Sequence, residues 1–463
     1  MKYCSTRGQV RDLSFSDAVM MGLASDGGLL LPEQIPQLTQ PQLESFSRLS
    51  YTDLAYEIIS LYATDVPAAD LRRLVNTSYA SFNHPEITPV VKQDDVYILE
   101  LFHGPTLAFK DVALQFLGNL FEYYLIRDNR NLNIIGATSG DTGSAAIAGV
   151  RGKKNINIFI LFPFGRVSSV QEMQMTTVTD DNVFNVAIDG TFDDAQAIIK
   201  EIFNDQQFKQ THALGSINSI NWVRVLAQIV YYFYAYFRVR EQTACEQVQF
   251  SVPTGNFGDI FAGYIAGKMG LPTRRFILAT NSNNILCRFV NEGDYSLADV
   301  HHSLSPSMDI QVASNFERYL YYLYEGDTAA VVTAMDRFKK TGKITFSAAL
   351  QTKIQQDFVA ASVDDQQTLE QISSFYHHTG YLLDPHTAVG VKAASKVGED
   401  VPLVCLATAH PAKFPEAINK AIKDKRPPLE IIERLRGLPR RCERLAADAS
   451  LIKEMVARNS SKS

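Results

Sequence analysis

From about residue 96 onward, short apolar segments alternate with longer segments whose apolar residues recur at helical spacing. The strand-like segments are Val96–Leu101, Leu132–Gly136, Ile156–Phe162, Gln247–Val252, Phe276–Ala279 and Pro402–Leu406. The helical segments between them include Val112–Tyr124, Trp222–Phe237 and Ile260–Met269. This alternation predicts an α/β fold with largely parallel sheets, in which ligands bind beyond the carboxyl ends of the strands.

The two ends of the chain follow other patterns. The first 95 residues are predicted to be mostly helical, with Ser14 and Asp17 as a capping pair and the apolar residues of Tyr51–Tyr62 on one helical face. The tail after Ala421 is basic, with 11 Lys and Arg against 6 Asp and Glu. Such a charge run predicts a solvated terminal helix.

The composition excludes several classes of protein. The chain has 463 residues and a net charge of -6, so binding to nucleic acid or to an anionic membrane through bulk charge is not expected. No segment approaches the ~20 consecutive apolar residues of a membrane span. The N-terminus also lacks the apolar core of a signal peptide.

Cysteine and histidine spacing argues against disulfides and metals. The five cysteines are far apart: Cys4, Cys245, Cys287, Cys405 and Cys442. Because no C-x-x-C pair occurs, we expect neither a disulfide framework nor a cysteine zinc site, and we expect a cytoplasmic protein. The adjacent pairs His301-His302 and His377-His378 do not point to one side of a helix. We therefore predict no metal site.

Two strand-to-helix junctions consist of small and hydroxyl residues. Thr138–Gly143 leads into a helix near Ser144, and Gly255–Gly258 leads into a helix capped by Asp259. Free backbone N–H groups at such loops, together with the positive end of the helix dipole, bind a carboxylate or a phosphate. The second loop matches neither G-x-x-x-x-G-K-S/T nor G-x-G-x-x-G, so a single small phosphate is expected there rather than a nucleotide.

A third junction delivers polar side chains to one loop. Thr408, His410 and Lys413 follow the apolar strand at Pro402–Leu406, and nearby prolines stiffen the loop. Three polar groups at a stiff strand exit indicate a candidate site, although a lone histidine there is also compatible with a structural role.

A further cluster of donors precedes the long apolar helix at Trp222. Asn218, Ser219 and Arg224 combine amide, hydroxyl and guanidinium groups. An arginine fork with nearby neutral donors suits a phosphate or a carboxylate. The alternative is helix capping by Asn218 or Ser219 with a surface arginine.

One lysine differs from the others in its sequence context. Lys110 opens an apolar helix, between Phe109 and Val112. Burial and the positive end of the helix dipole both disfavour the charged amine. They favour the neutral form, which a Schiff-base lysine requires.

At this point the sequence resembles the threonine synthases, in their longer-chain branch. The resemblance extends from residue 5 to about residue 420. The matching stretches are STRG at Ser5–Gly8, LASDGGLLLP at Leu23–Pro32, ELFHGPTLAFKDVALQF at Glu100–Phe116, GATSGDTGSAA at Gly136–Ala146, SINSINWVRVLAQ at Ser216–Gln228, PTGNFGDI at Pro253–Ile260, LDPHTAVG at Leu383–Gly390 and TAHPAKF at Thr408–Phe414.

The resemblance implies a pyridoxal-phosphate enzyme of fold type II. It implies two α/β domains with parallel-type sheets plus a mostly helical N-terminal region. The implied divisions are an N-terminal region 1–95, a large cofactor-binding domain 96–125 and 216–420, a smaller domain 126–215, and a C-terminal tail 421–463. The implied reaction converts O-phospho-L-homoserine and water to L-threonine and phosphate.

The family's functional residues carry over position by position. Lys110 would form the covalent link to pyridoxal 5'-phosphate and act as the catalytic residue. The cofactor phosphate would be held by Gly255, Asn256, Phe257, Gly258 and Asp259, with Thr408 at the pyridine nitrogen. The substrate carboxylate would meet Ser139, Gly140, Asp141 and Thr142, and the substrate phosphate would meet Asn218, Ser219, Arg224 and Lys413. Asp141 stands where the wider fold commonly has Asn.

Two other functions remain open at the level of sequence. A related phospho-lyase, yielding 2-oxobutyrate from O-phosphothreonine or O-phosphohomoserine, would share most of these motifs. A catalytically silent phosphometabolite-binding protein is the third alternative. In each case we expect a small-molecule partner, no nucleic acid, no membrane, and a monomer or small homo-oligomer.

Overall fold

The structure is a computed structural model that describes residues 1–138, 140–422 and 430–460. Its first elements are β1 (Tyr3–Ser5), α1 (Phe15–Met21), β2 (Leu30–Pro32), α2 (Gln40–Phe46), α3 (Tyr51–Ser60), α4 (Ala68–Tyr79), β3 (Val90–Gln93), β4 (Val96–Glu100), α5 (Lys110–Arg127), β5 (Leu132–Ala137), α6 (Asp141–Val150), β6 (Ile156–Pro163), α7 (Ser169–Thr176), β7 (Val183–Asp189), α8 (Phe192–Asn204), α9 (Gln206–Thr211) and β8 (Leu214–Gly215). These are followed by α10 (Trp222–Thr243), β9 (Gln249–Pro253), α11 (Gly258–Lys268), β10 (Phe276–Thr280), α12 (Ile285–Glu292), β11 (Asp294–Ser296), α13 (Phe316–Leu323), α14 (Thr328–Thr341), β12 (Lys343–Thr345), α15 (Ala348–Asp357), β13 (Phe358–Ser362), α16 (Asp365–Thr379), α17 (Pro385–Val397), β14 (Leu403–Ala407), α18 (Pro415–Ala421), α19 (Glu430–Arg436), β15 (Glu443–Ala446) and α20 (Ala449–Ser460).

The described residues form two compact units. The larger unit contains Met1–Asn76, Phe82–His103 and 219–422, and the smaller unit contains Thr77–Ser81, Gly104–Asn218 and 430–460. Each unit is built on its own sheet. The predicted α/β architecture is confirmed, and each of the six predicted strands has a counterpart whose ends agree within two residues.

The larger unit contains a six-stranded sheet in the order β13-β10-β9-β14-β4-β3. All neighbouring strands are parallel except β3 and β4. In the register of the central pair, Ser251 of β9 lies opposite Cys405 of β14. Because these two strands are parallel neighbours, the loop at Gly255 and the loop at Thr408 leave the same edge of the sheet.

The N-terminal region contributes short helices and the antiparallel pair β1 and β2 to the larger unit. The predicted cap of α1 is present as a reciprocal capping box between Ser14 and Asp17. Trp222 of α10 is fully buried and contacts the rings of Tyr3 and Tyr62. The first residues of the chain therefore pack against the start of α10.

The smaller unit contains a parallel sheet of five strands in the order β15-β7-β6-β5-β8. Its core joins apolar residues of the central strands with those of α8 and α20. The junction at 138–143 follows β5, which pairs with β6 and β8. The first predicted ligand loop therefore leaves the carboxyl end of an interior strand.

The C-terminal segment is not the solvated terminal helix that its charge predicts. β15 pairs in parallel with β7, from Glu443 opposite Val186 to Ala446 opposite Asp189. Ile452 and Val456 of α20 are fully buried in the core of the smaller unit. The prediction was wrong because the net charge of the tail does not show that α20 carries four apolar residues, Ala449, Ile452, Met455 and Val456, on one buried face.

The division into units also differs from the predicted one. The sequence assigned 96–125 to the large domain, whereas α5 belongs to the smaller unit. The reason is a close crossing of α5 and α6: a Cβ atom on Gly118 would lie 2.0 Å from the carbonyl oxygen of Gly149. Such close backbone contact requires glycine at the crossing and joins α5 to the smaller sheet's helices.

Within the described ranges, no helix combines the length and apolarity needed to cross a membrane.

Candidate active site

Lys110 is the first residue of α5 and is buried, with 9% of its surface exposed. Its amine nitrogen Nζ lies 3.8 Å from Oδ2 of Asp141. The preceding turn is fixed by Asp111, whose carboxylate accepts hydrogen bonds of 2.8 Å from the backbone N–H and the hydroxyl of Thr106. Gly104 lies in the same turn. It has to be glycine, because a Cβ there would lie 2.4 Å from the side chain of Asp111.

The loop before α6 brings Asp141 to the same place. Gly140 has a φ of 139°, which L side chains rarely adopt. The hydroxyl of Thr138 accepts hydrogen bonds of 2.9 Å from the N–H groups of Gly140 and Gly143. Asp141 is buried and Thr142 is half-buried at the start of the helix. Ser139, predicted to bind substrate, lies outside the described residues.

In the larger unit, the glycine loop after β9 is folded tightly. Phe257 has a left-handed φ of 63° immediately before α11. A Cβ on Gly255 would lie 2.6 Å from the carbonyl oxygen of Ser307. Asn315 donates to the carbonyl oxygen of Asn256 from both its backbone and its side chain, at 3.0 and 3.1 Å. The loop therefore keeps a fixed shape that admits only glycine at position 255.

The motif LDPHTAVG supports this glycine loop from behind. Asp384 accepts a 2.9 Å hydrogen bond from Nδ1 of buried His386, and Nε2 of His386 accepts one from the N–H of Ser307 at 3.2 Å. The Ser307 carbonyl is the group that approaches Gly255. Sequence reasoning noted this motif only as part of the resemblance and assigned it no role.

Asp259 has its carboxylate turned toward α10. Tyr231 and Tyr232 both donate to its Oδ1, and no described residue donates to its Oδ2. Burial raises the pKa of Asp259 to about 6, although the two tyrosine hydroxyls oppose this shift. Since Oδ1 is engaged with α10, we expect the contact of Asp259 with a bound anion to come from its backbone N–H at the helix start.

Replacing Asp259 with Asn is expected to flatten the pH dependence of stability. Because the folded pKa is about 6 and an unfolded aspartate has a pKa of about 3.9, the folded protein binds this proton more tightly. The resulting stabilisation is complete below about pH 4 and is lost as the pH rises through about 6. In thermal unfolding from pH 4 to pH 8, the Tm of Asp259→Asn should therefore rise relative to wild type.

The matched control is Asp336→Asn, which changes an exposed carboxylate on α14. Its Tm is compared with that of wild type over the same pH range. A constant offset for Asp259→Asn would contradict the assignment of a raised pKa to this group.

Arg224, in the first turn of α10, is buried with 5% of its surface exposed. Among the residues that the structure describes, its Nε and one terminal nitrogen have no hydrogen-bond partner. Burial lowers the pKa of the guanidinium to about 10, so it remains charged at neutral pH. The alternative that this residue is a surface arginine is wrong, and a buried cation with free donors is suited to an anionic ligand.

The residues just before Arg224 are divided between the units. Asn218 is the last residue of its segment in the smaller unit and donates to the hydroxyl of Ser216 at 2.9 Å. Ser219 belongs to the larger unit, where its hydroxyl lies 2.6 Å from that of Ser314. The helix is capped by Asn221, which accepts from the N–H of Val223. The alternative that Asn218 or Ser219 caps α10 is therefore wrong, because Asn221 is the capping residue.

Sequence reasoning missed the buried arginine that holds this segment. Arg318 is fully buried and donates to the carbonyl oxygens of Leu30 and Ile220 and to the side chain of Asn315. Burial lowers its pKa to about 9. Nothing in the sequence around Arg318 distinguishes it from a surface arginine, because its partners lie far away along the chain.

The STRG motif at the N-terminus is held by the residue next to Arg318. The guanidinium of Arg7 donates to both carboxylate oxygens of Glu317, at 3.0 and 2.9 Å, and the hydroxyl of Thr6 donates to one of them at 2.6 Å. The N-terminal region therefore holds α13 in place. Asn315, the residue before this helix, and Arg318 within it support the glycine loop and the segment before Arg224.

The third junction leaves β14 as predicted. Thr408 is buried directly after the strand. His410 caps a short turn by accepting from the N–H of Ala412, and burial lowers its pKa to about 4, so its ring is neutral. Lys413 is fully buried at the end of this turn. The structural alternative for His410 fits these contacts.

Comparisons with protein families match three consecutive parts of the chain. Residues 2–79 match the threonine synthase N terminus, residues 82–349 match the pyridoxal-phosphate dependent enzymes, and residues 387–456 match the threonine synthase C-terminal family. The threonine synthase of Schizosaccharomyces pombe is 47% identical, covering 91% of this chain and 89% of that protein. That of Pseudomonas aeruginosa is 48% identical, covering 91% and 90%.

The fold matches a solved structure over nearly its full length. The crystal structure of pyridoxal-phosphate-bound threonine synthase from Brucella melitensis superposes with a TM-score of 0.96. It is 44% identical in sequence and covers 99% of each chain.

Proposed function

The chain belongs to the threonine synthase family of pyridoxal-phosphate-dependent enzymes, and we propose that it converts O-phospho-L-homoserine and water to L-threonine and phosphate. The similarity to threonine synthases at 47–48% identity favours this activity over the phospho-lyase alternative. The single structural observation that carries the proposal is Arg224, a buried cation whose free donors suit a phosphorylated substrate.

The residues fit pyridoxal 5'-phosphate by two observations. Gly255 lies so close to the Ser307 carbonyl that a side chain is excluded, which keeps the loop's backbone open to a phosphate at the start of α11. Lys110 supplies a buried amine for the covalent link. Gly255, Asn256, Phe257, Gly258 and the backbone of Asp259 would hold the phosphate, and Thr408 would face the ring nitrogen. When bound, this cofactor supplies an electron sink for charge that develops on the substrate's carbon atoms.

The remaining proposed residues act on the substrate. Gly140, Asp141 and Thr142 at the start of α6, with Ser139 outside the described residues, would bind the substrate carboxylate through donors at a helix N-terminus. Asn218, Ser219, Arg224 and Lys413 would bind its phosphate. A tightly held phosphate orients the bond that must break, which favours its departure as inorganic phosphate.

Proton transfer is assigned to the amine of Lys110. An amine at this position would take a proton from one substrate carbon and return one to another. Asp141, 3.8 Å away, stabilises the ammonium that forms in between. One group alternating between acid and base can thus serve both phosphate loss and water addition.

Product analysis with O-phospho-L-homoserine tests the proposal. L-threonine and phosphate in equal amounts are expected, with no turnover of unphosphorylated homoserine or of O-phosphothreonine. Formation of 2-oxobutyrate and phosphate instead would overturn the proposal in favour of the phospho-lyase.

The cysteines support a cytoplasmic location as part of this proposal. Cys4, Cys245, Cys287, Cys405 and Cys442 are all free thiols. Burial raises the pKa of Cys287 to about 11, which keeps this thiol protonated. Unpaired thiols are typical of a reducing compartment. The prediction of a monomer or small homo-oligomer stays a prediction.

A further inference from the structure

A line of hydrogen bonds in the smaller unit leads to the carboxylate that faces Lys110. Ser168 donates from its hydroxyl to Oε1 of Gln171 at 3.0 Å, and Nε2 of Gln171 donates to Oδ1 of Asp141 at 2.8 Å. The other oxygen, Oδ2, lies 3.8 Å from the amine of Lys110. Neither Gln171 nor Ser168 belongs to any motif of the sequence analysis.

Gln171 is fixed in this position by its surroundings. It is buried, with 5% of its surface exposed. Ser168 caps α7 by accepting from the N–H of Gln171 at 3.3 Å. The side chain of Gln171 lies over Gly140, where an added Cβ would be 2.4 Å from its Cδ and Oε1 atoms. Gly140 is therefore a glycine partly because Gln171 occupies the space that a side chain would need.

The chemistry of the three groups fixes the orientation of the amide. An ionised carboxylate only accepts hydrogen bonds, so the end of Gln171 nearer Asp141 must be the NH2 group. A neutral donor stabilises a buried carboxylate without cancelling its charge. It thereby favours the ionised Asp141, whose second oxygen lies 3.8 Å from the amine of Lys110.

Few other charges surround this arrangement. Asp141 is the lone charged residue of α6, and Glu172, half-buried, is the lone charged residue of α7. In the first turn of α5, Asp111 is held by Thr106. In the described part of the chain, Asp141 lies within ion-pair distance of Lys110.

We propose that Gln171 is a positioning residue that holds Asp141 ionised and directed at the amine of Lys110, so that Asp141 controls the protonation of that nitrogen. The proposal rests on the proposed function, because it concerns the lysine to which the cofactor is attached. It goes further by assigning an outer residue, carried on a different helix, to the control of this charge.

The test is the pH titration of the visible absorbance of the cofactor-loaded protein. Gln171→Met removes the donor and keeps the length of the side chain. Without that donor Asp141 is protonated more easily and is no longer directed at the lysine nitrogen, so the midpoint should move to lower pH by about one unit. The kcat should fall about tenfold or more, with a smaller change in KM.

A double-mutant cycle tests whether the effect passes through Asp141. In an Asp141→Asn background, Gln171→Met should move the midpoint no further. Glu172→Gln, one residue along α7, is the control and should titrate like wild type. If Gln171→Met does not fold, Ser168→Ala should give a smaller shift in the same direction.

The results distinguish a positioning role of Gln171 from a role in packing alone. A lower Tm with an unchanged midpoint for Gln171→Met, or an equal shift in the Asp141→Asn background, would overturn the proposal. The absorbance titration needs bound cofactor but no threonine formation. Failure of the proposed reaction is therefore distinguishable from failure of this inference.

Discussion

Lys110→Ala is expected to lower the rate of threonine formation by at least about 10³-fold, because no other group is assigned to move the protons. The protein should also lose the yellow colour that a lysine-bound pyridoxal phosphate gives. The side chain is buried at the start of α5, and its amine faces Asp141 at 3.8 Å. Steady-state kinetics and the visible spectrum of the purified protein measure the two effects.

Lys153→Ala is the matched control for this substitution. Lys153 is a partly buried lysine of the same unit, and its amine donates to the side chains of Asn119 and Glu122 on α5. This variant should keep its colour and its rate. A yellow Lys110→Ala protein with near wild-type kinetics would refute the role of Lys110.

Arg224→Met is expected to lower the activity without lowering the thermal stability of the protein. The guanidinium is buried and has unpaired donors, and its lowered pKa, about 10, reports the cost of burying the charge. An apolar side chain of similar length avoids that cost, so the Tm without ligand should equal or exceed that of wild type. The kcat/KM for O-phosphohomoserine should fall about 10²-fold, since charge-assisted hydrogen bonds to phosphate are lost.

Thermal unfolding of the cofactor-loaded protein with added inorganic phosphate provides the measurement. Phosphate should raise the Tm of wild type and have a smaller effect on Arg224→Met. Arg240→Met is the control, because this arginine lies on the same helix and pairs with Glu44 at the surface. An Arg224→Met protein that responds to phosphate like wild type, with unchanged kinetics, would show that Arg224 does not bind the substrate phosphate.

The parts of the site that the sequence did not predict depend on contacts between residues far apart along the chain. The motif PTGNFGD predicts that Asp259 belongs to a phosphate-binding loop. Its carboxylate instead accepts hydrogen bonds from Tyr231 and Tyr232 of α10. Gln171 and Arg318 carry no local sequence signal, because their functions consist of contacts with residues elsewhere in the chain. Likewise β7 and β13 were not predicted, and only their pairing with β6 and β10 identifies them as strands.

Local sequence determined those features of this protein that depend on neighbouring residues. Apolar periodicity determined the alternating strands and helices, and small residues at the strand ends predicted the candidate ligand loops that follow β5 and β9. The tertiary structure alone decided that α5 joins the smaller unit and that the basic tail adds β15 and α20 to it. It also decided that Arg224 is buried, with two of its guanidinium nitrogens lacking a partner among the described residues. The reason is physical: backbone conformation follows from adjacent side chains, whereas burial, charge and hydrogen-bond partners depend on segments that meet only in the folded chain.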